Sequence, residues 1–177
     1  KIADLMDILA RPERINETGT LRSQWHHVVD IAPTLLEAVG LEQPAVVHGA
    51  PQKPMEGISM VYTFDNAAAK SRRKLQYFEM IGNRAIYHDG WLAGTTPNSL
   101  PWTGPLRPLD IIDGYNWELY HVDEDFSQAR DLAATNPDKL KEMQDLFYAQ
   151  ARLYNVLPLD DRKARLDVSI RPSLTAS

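Results

Sequence analysis

The pattern of hydrophobic and polar residues is first readable in the run WHHVVDIAPTLLEAVGL, residues 25–41. Residues 27–29 suit a half-buried strand, and a helical pattern follows them directly. Asp30 can cap the free amides of the first helical turn, Pro33 is tolerated there, and Gly40 can take the left-handed conformation that ends a helix. We therefore expect a strand that leads into a helix.

A second pattern, from Leu75 onward, predicts an antiparallel sheet. Apolar and aromatic residues occur in short runs that turn-forming residues separate. Gly82-Asn83 and Asp89-Gly90 are typical of hairpin turns. The predicted strands cover residues 75–81, 84–88, 91–94 and 117–122.

The clearest helical pattern begins at Asn136 and Pro137. Apolar residues recur there at intervals of three and four, and Pro158 prevents extension. We expect the apolar face of this helix to pack on the sheet. That face consists of Leu140, Met143, Phe147, Ala151 and Tyr154.

Two proline-rich segments separate these elements. Residues 42–70 read as a connector that ends in a short helix over residues 62–70. Residues 95–116 contain four prolines and Trp102, and a connection of about 20 residues is usually either functional or disordered.

Composition narrows the classes of function. The chain has 177 residues, of which 44% are hydrophobic, and this is enough for one substantial core or two small ones. A net charge of −5 favours neither nucleic acid nor an anionic membrane as a partner. No apolar run approaches the length of about 18 residues that suggests a membrane helix. Without cysteine the chain has no disulfide, no thiolate zinc site and no cysteine nucleophile.

Taken in order, residues 25–41, the hairpin over residues 78–86 and the strand over residues 117–120 closely resemble the C-terminal portion of bacterial formylglycine-dependent arylsulfatases. The resemblance covers nearly the whole chain. It implies an α/β, alkaline-phosphatase-like catalytic domain, of which residues 1–70 form only the last strand and helix. An α+β subdomain with a four-stranded antiparallel sheet and one long C-terminal helix would then occupy residues 71–177.

The resemblance implies a sulfuric ester hydrolase that cleaves an aryl or alkyl sulfate. The family's modification motif needs a Cys or Ser with an Arg four positions later, and no serine in this chain meets that condition. Because the initiator Met and the motif are both missing, we expect a fragment that is structural and substrate-shaping. It would have no catalytic or metal-binding residue and no sulfatase activity when isolated.

The resemblance implies calcium and formylglycine for the full-length enzyme, but no cofactor bound by this fragment. Its expected partners are the remainder of its own catalytic domain and, in the whole enzyme, a sulfate ester. Without that remainder, the fragment is expected to self-associate. The compartment, bacterial cytoplasm or periplasm, stays open.

Acidic and histidine pairs are candidate metal ligands on residue type alone. Residues 160–161 follow an apolar run near the carboxyl end and are interpreted as a solvated turn. Residues 123–125 are interpreted as a polar turn, with calcium binding as the alternative. His26 and His27 would point to opposite faces of a strand, which disfavours a shared metal and favours structural roles.

A substrate-pocket rim is the remaining candidate site. Trp102 offers a flat apolar face on a proline-rich loop, and His88 lies at the tip of the preceding hairpin. Each has an alternative: Trp102 as a packing anchor of its loop, and His88 as an exposed turn residue. The basic residues 72–74 are interpreted as aids to solubility that discourage edge pairing, with contact to an anionic sulfate ester as the alternative.

Two other functions stay open. The chain could be a stand-alone α+β binding or assembly module without catalysis. Related phosphatases and phosphonate hydrolases also share the large fold that the resemblance implies, so reaction class is less firmly predicted than fold.

Overall fold

The computed structural model describes residues 19–96, 99–100, 104–105 and 110–160. The chain divides into two compact units, Lys1–Lys74 and Leu75–Ser177. The sequence had placed a boundary after residue 70. In the described part, no helix has both the length and the hydrophobicity needed to cross a bilayer.

Unit one is built from short elements. Among its described residues, helix α1 covers Ile31–Ala38 and follows a single 3₁₀ turn over Val28–Asp30. A small hairpin and a second 3₁₀ turn lie within the predicted connector. They are β1 (Val46–Val47), β2 (Ala50–Pro51) and the turn Val61–Thr63.

The predicted strand over residues 27–29 is wrong, because local side-chain hydrogen bonds hold a turn there. The backbone amide of His27 donates to Asp30 Oδ2 over 2.9 Å, and the amide of Val29 donates to His27 Nδ1 over 3.4 Å. Such bonds give the backbone an alternative to a sheet ladder. Asp30 therefore caps this turn and makes no side-chain hydrogen bond to the first turn of α1.

Two further predictions for unit one had different outcomes. The expected helix over residues 62–70 is wrong, since only the turn Val61–Thr63 forms and the Asn66 side chain accepts from the amide of Ala68 over 3.1 Å. The predicted end of α1 is confirmed. Gly40 has φ +69°, and the amide of Leu41 reaches back to the carbonyl of Leu36 over 2.9 Å.

Unit two contains the predicted four-stranded antiparallel sheet. Its four strands lie side by side in the order in which they follow one another along the chain. Ile81 and Gly82 take positive φ in the first hairpin, so that turn begins one residue earlier than predicted, and Asp89 and Gly90 do so in the second. The strands are β3 (Leu75–Met80), β4 (Asn83–His88), β5 (Trp91–Thr95) and β8 (Trp117–His121). Between the last two, β6 (Ser99–Leu100) pairs with β7 (Gly104–Pro105).

Helix α2, Pro137–Leu153, covers one face of this sheet and begins at the predicted residue. Ile86, Ala93 and Leu119 are directly paired neighbours on three strands and are fully buried. They form the core together with Met143, Phe147 and Ala151 of the helix. The predicted packing of the apolar helix face on the sheet is thus confirmed for these three helix residues.

Candidate functional site

Three ring side chains stand next to one another on the helix-covered face of the sheet. His88 of β4 pairs with Trp91 of β5, and Trp91 pairs with His121 of β8. Each lies two residues from a core position on its strand, so all three share the face that α2 covers. We call His88, Trp91 and His121, together with Lys139 and Glu142 of α2, the histidine edge.

Trp91 lies at the centre of the histidine edge. Its ring meets the His121 ring edge to face, with centroids 4.5 Å apart. Lys139 Nζ lies 5.8 Å from the centroid of Trp91 and bonds Glu142 Oε1 over 2.8 Å. This places the ammonium group within cation–π range of the ring.

Each histidine of the edge has a carboxylate close by. His88 Nδ1 lies 3.9 Å from Glu142 Oε1, and His121 Nδ1 lies 3.8 Å from Glu124 Oε1. Neither Nδ1 atom has a hydrogen-bond partner within the described residues. The His88 side chain is 39% exposed and that of His121 is 24% exposed, so solvent and solutes can reach part of each ring.

The two predicted rim residues are not both described. His88 ends β4 and faces α2, as given above. Trp102 lies outside the described residues, in the segment between the paired strands β6 and β7.

Arg84 is a functional candidate that sequence reasoning missed. It lies on β4 and is 2% exposed. Its guanidinium donates to the carbonyls of Ile111 and Ile112, the latter over 3.4 Å, and to the Tyr148 hydroxyl over 3.0 Å. The alternation of residues 84, 86 and 88 was the available signal, since it puts Arg84 on the same face as the core residue Ile86.

The second missed group is a buried ion pair in unit one. Asp30 is fully buried, and Arg73 Nε donates to its Oδ2 over 2.9 Å. Arg73 Nη2 bonds the other carboxylate oxygen, and the amide of Ile58 donates to that oxygen over 2.7 Å. Arg73 is 6% exposed, so the interpretation of residues 72–74 as a solvated basic triplet is wrong for this residue.

Electrostatics favour the ionised form of Asp30. Burial by itself would raise the pKa of this carboxyl. The hydrogen bonds from Arg73 and from the amides of His27 and Ile58 outweigh burial, and the net pKa lies below the usual range. The pair is therefore charged at neutral pH.

His26 lies beside this pair. Its Nδ1 is 3.8 Å from Asp30 Oδ2, and its ring meets the Tyr62 ring with centroids 6.0 Å apart. Burial lowers the pKa of His26, with Asp30 acting against that shift and Arg73 adding to it. The expectation that His26 and His27 point to opposite faces of a strand is wrong, since residues 28–30 form a turn and the His27 ring accepts from a backbone amide.

The acidic candidates form local turn contacts. Asp125 accepts from Ser127 Oγ and from the amide of Arg130, each over 2.9 Å, as expected of a polar turn. Asp161 lies outside the described residues. Across the described ranges, no three His, Cys, Asp or Glu side chains converge in a way that could hold a metal ion.

Comparison with known proteins concerns the fold. No family model matches the chain. The solved structure of Ps i-CgsB is similar with a TM-score of 0.51 and 18% identity, over 85% of this chain and 30% of that one. The structure of BT4656, solved with its substrate D-glucosamine-2-N,6-O-disulfate, is similar with a TM-score of 0.47 and 20% identity, over 76% of this chain and 25% of that one.

A third structure, BT33336S-sulf, from a study of glycosaminoglycan metabolism in Bacteroides thetaiotaomicron, gives a TM-score of 0.42 at 16% identity, over 68% of this chain and 24% of that one. These neighbours are sulfatases. The chain spans between 24% and 30% of their lengths. Over 85% of its length, the fold of this chain is thus similar to a part of Ps i-CgsB.

Proposed function

We propose that this chain is the C-terminal portion of a formylglycine-dependent arylsulfatase, a sulfuric ester hydrolase. The observation that carries the proposal is the fold likeness to Ps i-CgsB, which spans 85% of this chain. The order of the 25–41 run, the 78–86 hairpin and the 117–120 strand supports it independently. In the whole enzyme, hydrolysis would break the sulfur–oxygen bond of the ester. Water would supply a proton to the released alcohol and an oxygen to the released sulfate.

The role of this chain in that reaction is structural and substrate-shaping. It has no cysteine, and no serine has an Arg four positions later. Calcium takes six to eight oxygen ligands, and the acidic residues of the described ranges do not converge as such a set. The described residues offer no such set, and the proposal assigns calcium and formylglycine to the remainder of the enzyme.

The remainder of the catalytic domain is the proposed partner of unit one. Val28 is 68% exposed, and Val29 and Ile31 are 43% and 48% exposed. These residues lie together in the 3₁₀ turn and at the start of α1. Clustered apolar side chains of this kind mark an interaction surface. We call them the apolar patch.

The substrate-pocket rim is proposed for Trp102, with His88. Prolines reduce the entropy lost when the loop becomes ordered, and an indole face can stack on the aryl part of a sulfate ester. His88 supports this role by its partly exposed ring. The competing role for Trp102 is to pack its own loop. The two roles predict different effects of Trp102→Ala on KM and on stability.

The test is performed on the whole protein that contains this chain. Its preceding sequence should contain a Cys or Ser with Pro or Ala two positions later and Arg four positions later. The purified protein should release inorganic sulfate from an aryl sulfate, and changing that Cys or Ser to Ala should abolish release. A whole protein without the motif, or one that releases phosphate and no sulfate, contradicts the proposal.

A stand-alone binding module is the second candidate, and the compact core of unit two favours it. The described residues of that core come from the sheet, α2 and the segments beside them in Leu75–Ser177. Expression of the whole chain by itself distinguishes the candidates. A soluble monomer that unfolds cooperatively supports the module, whereas self-association that co-expression with the preceding polypeptide relieves supports the sulfatase portion.

A further inference from the structure

We propose that Arg84 is a positioning residue that holds residues 110–116, the carboxyl-terminal stem of the 96–116 loop, in place against the sheet and α2. The substrate-related half of this inference rests on the proposed function. The half that concerns loop position does not, because it follows from contacts within unit two.

The Arg84 guanidinium joins three parts of unit two. It donates to the carbonyls of Ile111 and Ile112 in the loop stem, to the Tyr148 hydroxyl on α2, and to the carbonyl of Gly82 over 3.1 Å in the β3–β4 turn. Its carbon lies 4.8 Å from the centroid of the Tyr115 ring. One side chain therefore ties the loop stem to both the sheet and the helix.

The charge of Arg84 is stabilised by these neutral partners. It is 2% exposed, and no carboxylate of the described residues lies within ion-pair distance of it. Asp110 is close enough for the charge of Arg84 to contribute to the lowered pKa of its carboxyl, behind the larger contributions of the amides of Asp113 and Ile112. A buried cation needs hydrogen-bond acceptors, so the stem carbonyls and the guanidinium hold each other in place.

The loop stem has its own internal bonds, and these can report on its order. Asp110 Oδ1 accepts from the amides of Ile112 and Asp113 over 2.8 and 2.9 Å, and the amide of Gly114 donates to the carbonyl of Asp110 over 2.9 Å. These three amides are protected from exchange only while the turn persists. The turn is joined to the fold by Arg84.

The amino-terminal stem of the same loop also involves Arg84. The Arg84 amide donates to Thr95 Oγ1 over 3.1 Å, and the amide of Thr96 donates to the carbonyl of Asn116 over 3.3 Å. Arg84 therefore contacts both stems of the loop. Its backbone amide binds the amino-terminal stem, and its side chain binds the carboxyl-terminal stem. Loss of the side chain should free the carboxyl-terminal stem while the strand pairing of Thr95 with Trp117 remains.

The experiment measures amide exchange in this chain for Arg84→Lys, Arg84→Met and Tyr148→Phe. We expect exchange at the amides of residues 112–114 to rise about tenfold in Arg84→Lys, since a lysine cannot bond several acceptors in one plane. The rise should be larger in Arg84→Met and smallest in Tyr148→Phe, which removes only the helix contact. Amides of α2 serve as the internal reference for global unfolding.

The second arm uses the whole enzyme. Arg84→Lys should raise KM for an aryl sulfate several-fold while kcat stays within about twofold. Asp110→Ala removes acceptors from the same turn and should have the same effect. A purely stabilising role would lower the melting temperature without this split between KM and kcat.

The outcomes separate the two halves of the inference. Unchanged exchange at residues 112–114 in Arg84→Lys and Tyr148→Phe overturns the positioning role, whatever the kinetics. Raised exchange with unchanged KM supports stem positioning and overturns its link to substrate, which is a failure of the proposed rim and not of the Arg84 contacts.

Discussion

Asp30 and Arg73 form a two-point ion pair in the interior of unit one, although 43 residues separate them in the chain. Asp30 is fully buried, and it also binds the amides of His27 and Ile58. The pair thus connects the turn before α1 to the end of the proline-rich connector. Other polar contacts span a similar sequence distance, since Arg22 donates to the carbonyl of Thr63 and Gln24 donates to that of Ala67.

Removal of either partner should destabilise unit one strongly. An unpaired charge left in the interior typically costs about 3–5 kcal/mol. We expect losses of this size in the free energy of unfolding for Asp30→Ala and for Arg73→Met, measured by urea denaturation. The double variant should lose less than the sum of the two. Glu37→Gln, at an exposed position of α1, is the control, and a loss below about 1 kcal/mol in either single variant would show that the pair is not a major stabilising contact.

Stability should fall in two stages on acidification. Folding lowers the pKa of His26, so His26 of the unfolded chain binds a proton at a higher pH than His26 of the folded chain. Stability therefore declines as the pH drops below the unfolded value of 6.5 toward the folded pKa. The pKa of Asp30 is also lowered. Its contribution is complete above the unfolded value of 3.8 and is lost as the pH falls through the folded value. Melting temperature against pH measures both stages.

Single substitutions assign the stages. His26→Gln should remove the decline that begins near the unfolded value of 6.5, and Asp30→Asn should remove the decline below 3.8 at the expense of lower stability at pH 7. A stability profile that rises on acidification between these values would contradict the burial of a neutral His26.

The isolated chain should show no sulfatase activity, even with added calcium. Without the family's nucleophile, no covalent sulfate intermediate can form, and general acid–base assistance contributes only about 10²- to 10⁴-fold. Release of nitrophenol from an aryl sulfate is the measurement, with the whole enzyme as the positive control. Turnover that persists through repurification would disprove this expectation.

The isolated chain should self-associate through the apolar patch. Val28 and Ile31 are 68% and 48% exposed, and their contact with water is unfavourable. Leu35, Leu36 and Val39, which follow these residues in the chain, are half-buried within the unit. The double variant Val28→Ser/Ile31→Ser should shift the sedimentation profile toward monomer. Phe126→Ser, at an 88% exposed position of unit two, should not, and equal effects of both would indicate non-specific aggregation.

Trp102→Ala in the whole enzyme should raise KM for aryl sulfates, with little change for small alkyl sulfates and little loss of melting temperature. The reason is that a stacking surface contributes only where the substrate has a ring. Truncation of a buried aromatic instead costs about 3–5 kcal/mol. A stability loss of that size with an unchanged aryl preference would show that Trp102 packs its loop.

The sequence determined the architecture of unit two to a large extent. The alternation in the strands, the Asp89-Gly90 turn and the Asn136-Pro137 helix start are all local signals, and the structure contains the corresponding elements. These features depend on backbone preferences over a few residues, and such preferences can be read from the chain directly. The end of α1 at Gly40 belongs to the same class.

Only the tertiary structure decided the roles of the charged residues. The sequence indicates Arg73 only as part of a basic triplet, and its pairing with Asp30 depends on the fold. The sequence likewise indicates no partner for Arg84, whose acceptors are the carbonyls of Ile111 and Ile112 in the loop stem. The predicted strand before α1 failed for a related reason, since the Asp30 side chain bonds the His27 amide and favours a turn. A run of β-branched residues indicates only a preference for strand structure. The free-energy cost of burying a charge depends on the hydrogen-bonding partners that distant parts of the chain place beside it.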